Sequence, residues 1–144
     1  MVLHLENNCK GINSLKSIPR HVMLLDGFKE KLSEGILPEG VQNLFLGDIK
    51  QDLTIDSIPN SVKAVYLLNG FNQKKTCRNG ISTNKLTCGI IPEGVKTLEI
   101  CDIKQQLTID SIPKYVSEII IQRKIKQTII PFQIPKNITL KYAD

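Results

Sequence analysis

Apolar residues in this chain fall into a short phrase, V-x-x-L-x-L, that recurs along its length. It runs from Val41 to Leu46, Val62 to Leu67, Val95 to Ile100 and Val116 to Ile121. Leu3-His4-Leu5 precedes these segments and Ile138 to Tyr142 follows them. The closing L-x-L alternates with period two, which predicts a strand with one buried face. A proline motif stands ahead of every strand but the first, at Pro19, Pro38, Pro59, Pro92, Pro113 and Pro135. Proline cannot donate to a strand ladder, so it belongs at the corner that enters the strand. Ten residues before most of these prolines lies an apolar anchor: Cys9, Phe28, Ile49, Ile103 or Ile125. The anchor is usually followed by a polar pair, as in Ile49-Lys50-Gln51 and Phe71-Asn72-Gln73. Beyond it, Leu53-Thr54-Ile55 and Leu107-Thr108-Ile109 predict an extended or 3-10 return. These stretches are too short, too β-branched and too close to a proline for a long helix.

The largest self-match is Gly35 to Val62, which recurs 54 residues later as Gly89 to Val116 with 19 of 28 positions identical and no gap. Each copy holds two motif prolines 21 residues apart, so the unit has about that length. A fixed period of this size is the mark of a repeat architecture. The expected fold is therefore one solenoid over residues 1–144: a leucine-rich-repeat-like arc with a parallel sheet of about seven short strands and mostly irregular or 3-10 returns. Two irregularities stand out. The interval from Pro19 to Pro38 is 19 residues, and the Ile138 to Tyr142 segment departs by one residue, with Leu140 where a polar position is expected. Phe71 has no proline ten residues later, and the polar stretch from Lys74 to Gly89 reads as a loop inserted at about 74–89. Cys77 and Cys88 lie in it; a disulfide, a bound metal and two reduced thiols are the alternatives, reduced thiols being the plainest.

The phrase Ser57-Ile58-Pro59-Asn60-Ser61-Val62, followed by Val65, Leu67 and Gly70-Phe71-Asn72-Gln73, resembles the FNIP repeat, a relative of the short leucine-rich repeats. Elsewhere the Phe-Asn-Gln element is eroded to Ile-Lys-Gln or Phe-Lys-Glu. Such repeats are found mainly in proteins of amoebae and of the giant DNA viruses that infect them. Family members often carry an F-box ahead of the repeats, which makes the repeats a substrate receptor for a ubiquitin ligase. Here the first residues already read as a repeat strand, so the resemblance implies a receptor-like role with the ligase connection supplied by an adaptor. The implied partner is a protein, of a host or related to a ubiquitin ligase.

Composition narrows the function classes. Charge is +5, from scattered lysines and three arginines only, Arg20, Arg78 and Arg123. That distribution is a solvated surface rather than a nucleic-acid groove, which concentrates arginine for bidentate contacts. No signal peptide and no transmembrane run is legible, so a cytoplasmic chain is expected, in the host-cell cytoplasm if the source is viral. Cys9 and Cys101 take small or apolar repeat positions and read as buried thiols in a reducing compartment. No catalytic or phosphate-binding motif occurs, and no metal or cofactor is implied. His4 and His21 read as surface or corner residues. Asp48/Asp102 and Asp56/Asp110 fall at equivalent repeat positions and read as turn chemistry rather than paired catalytic carboxylates. The expected function is thus non-enzymatic protein binding.

Parallel stacking of the L-x-L segments would send the leucines inward and leave the intervening residues on an open face. That column is expected to be His4, Asp26, Phe45, Tyr66, Glu99 and Ile120, flanked by Asn43, Ala64, Thr97 and Glu118. Phe45, Tyr66, Glu99, Ile120, Asn43 and Glu118 are the candidate protein-binding residues, because exposed apolar groups in a cluster mark contact surfaces. The competing reading is side-chain ladder packing with no partner. The alternative function is self-association: a parallel stack has an edge strand at each end, which admits a homodimer.

Overall fold

The computed structural model describes residues 2–5, 19–29, 31–32, 36–49, 52–54, 56–73, 75–76, 82–83, 90–103, 112–122 and 135–143. Seven strands form one sheet: β1 (Val2–Leu5), β2 (His21–Leu24), β3 (Asn43–Leu46), β4 (Ala64–Leu67), β7 (Thr97–Ile100), β8 (Glu118–Gln122) and β9 (Thr139–Ala143). They follow one another in that order, and every neighbouring pair is parallel. β5 (Lys75–Thr76) and β6 (Ser82–Thr83) pair antiparallel as a separate hairpin. This hairpin is the paired part of the stretch expected to be a loop; Cys77 and Cys88 lie outside the described residues. No helix occurs among the described residues, and their returns are turns, bends and extended backbone. The Ile55 and 107–109 parts of the expected returns, and the Cys9 and Ile125 anchors, also lie outside the described residues.

The phrase V-x-x-L-x-L builds each corner and strand in turn. The N–H of the valine closes a turn onto the proline carbonyl, as in Val62 to Pro59 and Val116 to Pro113, both at 3.1 Å. The next two N–H groups then donate to a single carbonyl of the preceding coil. Lys63 and Ala64 share Gln42, and Ser117 and Glu118 share Lys96. This two-on-one pattern is that of a β-bulge, and it turns the chain into the sheet.

Leaving the sheet, the coils alternate between two corners. Leu25-Asp26-Gly27-Phe28 and Leu68-Asn69-Gly70-Phe71 close turns in which the fourth N–H reaches the first carbonyl. Their glycines sit at φ of 83° and 81°, the left-handed backbone that this turn demands at its third residue. Gly47-Asp48-Ile49 and Cys101-Asp102-Ile103 close a tighter turn, with the N–H of the isoleucine on the carbonyl two residues back. The longer corner therefore ends in a phenylalanine anchor and the shorter in an isoleucine. The two types interlock. Asp26 Oδ1 accepts from the Asp48 N–H at 2.7 Å, and Asn69 Oδ1 accepts from the Asp102 N–H at 3.0 Å. Asp48 and Asp102 thus serve turns, as expected, through their backbones.

The core lies between strand and return. Val22, Leu24, Leu44, Leu46, Val65, Leu67, Leu98 and Ile100 point in from the sheet and meet the anchors Phe28, Ile49, Phe71 and Ile103, all nearly or fully buried. Among the described residues two polar side chains share this interior. Gln73 Oε1 accepts from the Leu53 N–H at 2.7 Å. Ser57 Oγ donates to the Leu32 carbonyl at 2.7 Å and accepts from the Thr54 N–H at 2.8 Å. The serine of the D-S-I-P phrase thus makes the expected local backbone bond and one more, across coils.

Candidate functional site

Register decides which side chains share the open face. The central column reads His4, Met23, Phe45, Tyr66, Glu99, Ile120 and Lys141 on seven adjacent strands. Phe45, Tyr66, Glu99 and Ile120 are therefore consecutive, as expected. Asp26 is not in the column: β2 begins three residues sooner after its proline than its neighbours do, so Met23 takes the place and Asp26 falls in the exit corner. The same short corner puts His21 on the strand rather than at the bend. His21 joins a flanking column that runs from Val2 through His21, Asn43, Ala64, Thr97 and Glu118 to Thr139. Asn43 and Glu118 stand at opposite ends of the expected set, separated by Ala64 and Thr97. At the far end, one residue is lost between Ile138 and Thr139, so Leu140 pairs with Ile119 and returns to the core register.

Phe45 and Tyr66 lie face to face, with ring centroids 4.1 Å apart and planes 11° from parallel. Both are half-buried. Their adjacency follows from the in-register pairing of β3 with β4, which sets like positions about 4.8 Å apart. Part of this contact is the ladder packing that competes with a partner-binding reading, and both residues keep part of their surface exposed. Glu99 comes next. Gln122 Nε2 donates to its Oε1 at 2.7 Å. Burial first, and the Glu99 carboxylate second, push the Tyr66 phenol above its ordinary range. The same two causes, in the same order, raise the Cys101 thiol. Cys101 is half-buried rather than fully buried, because it follows Ile100 on the open side of the sheet.

The flanks are polar. The Asn43 amide donates to His21 Nδ1 at 2.9 Å. Glu118 forms an ion pair with Lys141. Met23, His21, Gln122 and Lys141 are face residues that the spacing argument missed. The 19-residue interval after Pro19 signals a changed corner, though not which residues it shifts. Among the described residues no cluster of three or more potential metal ligands occurs. No described helix is long and apolar enough to cross a membrane.

The FNIP repeat family model matches residues 28–69 and 84–124, more than half of the chain. The chain belongs to the FNIP repeat family. Among curated proteins it is similar to the FNIP repeat-containing protein cigB of the amoeba Dictyostelium discoideum, 54% identical over 65 residues that make up 45% of this chain. A second FNIP repeat-containing protein of that organism is 50% identical over 46 residues, 32% of this chain. These matches span only 9% and 8% of the length of the two relatives. Among solved structures the fold is similar to CroV588, a circular LRR protein, with a TM-score of 0.56 at 18% identity over 85% of this chain and 20% of that one. The FNIP chain is thus a leucine-rich-repeat-like solenoid, an architecture consistent with protein interaction.

Proposed function

We propose that the chain is a non-enzymatic protein-interaction module that holds a protein partner on the open face of its sheet. The observation that carries this reading is the half-buried Phe45–Tyr66 stack at the middle of the open face of the sheet. Aromatic groups in such a setting supply large contact area at small entropic cost, which is why they dominate binding hot spots. Ile120 extends the apolar column, and Glu99, Asn43 and Glu118 form its polar surround. By analogy with the family the partner is a protein selected for delivery to a ubiquitin ligase in the cytoplasm.

The test uses the wild-type chain and a Phe45→Ser, Tyr66→Ser variant as baits in amoebal lysate, after circular dichroism shows that both fold alike. A partner retained by the wild type and lost by the variant is the expected result. Equal recovery by both baits would remove the face from consideration. The second reading, self-association through the outer strands, is favoured by Tyr142 of β9 and Val2 of β1, which are 58% and 47% exposed. It requires a mass that rises with concentration.

A further inference from the structure

We infer that the step between Tyr66 and Glu99 receives an arginine side chain of the protein partner, its guanidinium laid on the tyrosine ring and paired with the carboxylate. This rests on the sheet-face reading and specifies its chemistry. The geometry comes from the column. Phe45 and Tyr66 stack nearly parallel at 4.1 Å along the direction in which the strands succeed one another. Glu99 is the next residue in that direction, in register with Tyr66 on β7. A third flat group continuing the stack beyond Tyr66 would therefore lie over Glu99, about one strand spacing of 4.8 Å further on.

Charge selects what that flat group is. Among the described residues the open face carries two carboxylates, Glu99 and Glu118, on a chain whose net charge is +5. Glu118 is already neutralised by Lys141. Among the described residues Glu99 has no cationic partner; the neutral Gln122 amide donates to its Oε1 and leaves Oε2 to accept. Its field reaches the Tyr66 phenol and the Cys101 thiol, so the local potential is negative. A planar cation satisfies ring and carboxylate together. Guanidinium does so better than ammonium, because it is flat, weakly hydrated and offers N–H donors in its own plane while its face stacks.

The experiment is a nuclear magnetic resonance titration of the full chain with Nα-acetyl-arginine methylamide. The comparison probes are the citrulline analogue, flat but neutral, and the lysine analogue, charged but not flat. The arginine probe should bind about fivefold more tightly than either, with shifts centred on Tyr66 and Glu99. Glu99→Gln keeps an acceptor for Gln122 and should erase that advantage. Equal binding of the three probes, shifts centred elsewhere, absence of binding, or an advantage that survives Glu99→Gln would each overturn the inference. If any of these occurs while a lysate partner is still lost by the Phe45→Ser, Tyr66→Ser variant, the sheet-face reading stands and only its arginine chemistry falls. A partner that ignores that double substitution sinks both.

Discussion

Replacing Gln73 by methionine tests whether the stack is held across coils by the side chain two residues past the Phe71 anchor. Methionine keeps nearly the same length and volume, so little cavity opens. What disappears is the acceptor that takes the Leu53 N–H at 2.7 Å. Gln73 and Leu53 are 5% and 6% exposed, so water does not replace that acceptor in the folded coil. A buried N–H left without a partner costs about 1–3 kcal/mol, and about 2 kcal/mol is the expected loss. For a chain of this size that lowers the melting temperature by about 4–8 °C. Circular dichroism melts of wild type and Gln73→Met read the global effect. Amide exchange reads the local one: the Leu53 amide should exchange about 30-fold faster if it is released by the same free energy. Gln42→Met, at an exposed corner position, is the control and should change neither. An unaltered melt together with unaltered Leu53 exchange would refute the reasoning.

Three further outcomes follow from single contacts. Ser57→Ala removes a donor to the Leu32 carbonyl and an acceptor from the Thr54 N–H in a fully buried position, and should lower stability in urea by about 1–3 kcal/mol. Gly70→Ala should cost about 1–2 kcal/mol in the same assay; its φ of 81° is unfavourable for alanine, while the new methyl would meet Asp48 at an ordinary 3.5 Å, so the loss is one of backbone conformation. The Tyr66 phenol keeps its proton to higher pH in the folded chain than in the unfolded one, whose phenol ionises near 10.0. Its contribution to stability is therefore complete below that pH and is lost as pH rises through the folded value. Ultraviolet titration should show Glu99→Gln lowering the Tyr66 midpoint without restoring it fully, since burial is the larger cause.

Much of the fold is legible in the sequence because the alternation of Leu44-Phe45-Leu46 or Leu98-Glu99-Ile100 leaves one way to bury both apolar residues. Proline then marks where each strand is entered. Phe45, Tyr66, Glu99 and Ile120 were identifiable as one column for the same reason: their units share one corner length. Met23 was hidden because its corner is three residues shorter, and no residue type announces that; the hydrogen bond between His21 and Asn43 was hidden with it. The alternation of exit corners was also obscured. Its cause, the left-handed glycine in Leu25-Asp26-Gly27-Phe28 and Leu68-Asn69-Gly70-Phe71, is written in the chain, but Gly47 stands in the other corner type and blurs the contrast. The half-exposure of Cys101 follows from parity along β7, which a view of the thiol as a small core residue overlooks.

The hairpin of β5 and β6 has a consequence for how the chain reaches this structure. Most bonds between coils join residues about 20 to 23 positions apart. Each coil can therefore close on its neighbour as a local event, and assembly can spread from any starting pair. Between β4 and β7 the corresponding separation is 33, as in the bond from Asp102 to Asn69. Closing that longer segment costs about 0.4 kcal/mol more chain entropy than closing one of ordinary length, before any order within the insertion is counted. The junction is thus the one that chain entropy favours least. Under pulling force or brief denaturation the array should separate there into two cooperative blocks, β1 to β4 and β7 to β9, before either block dissolves.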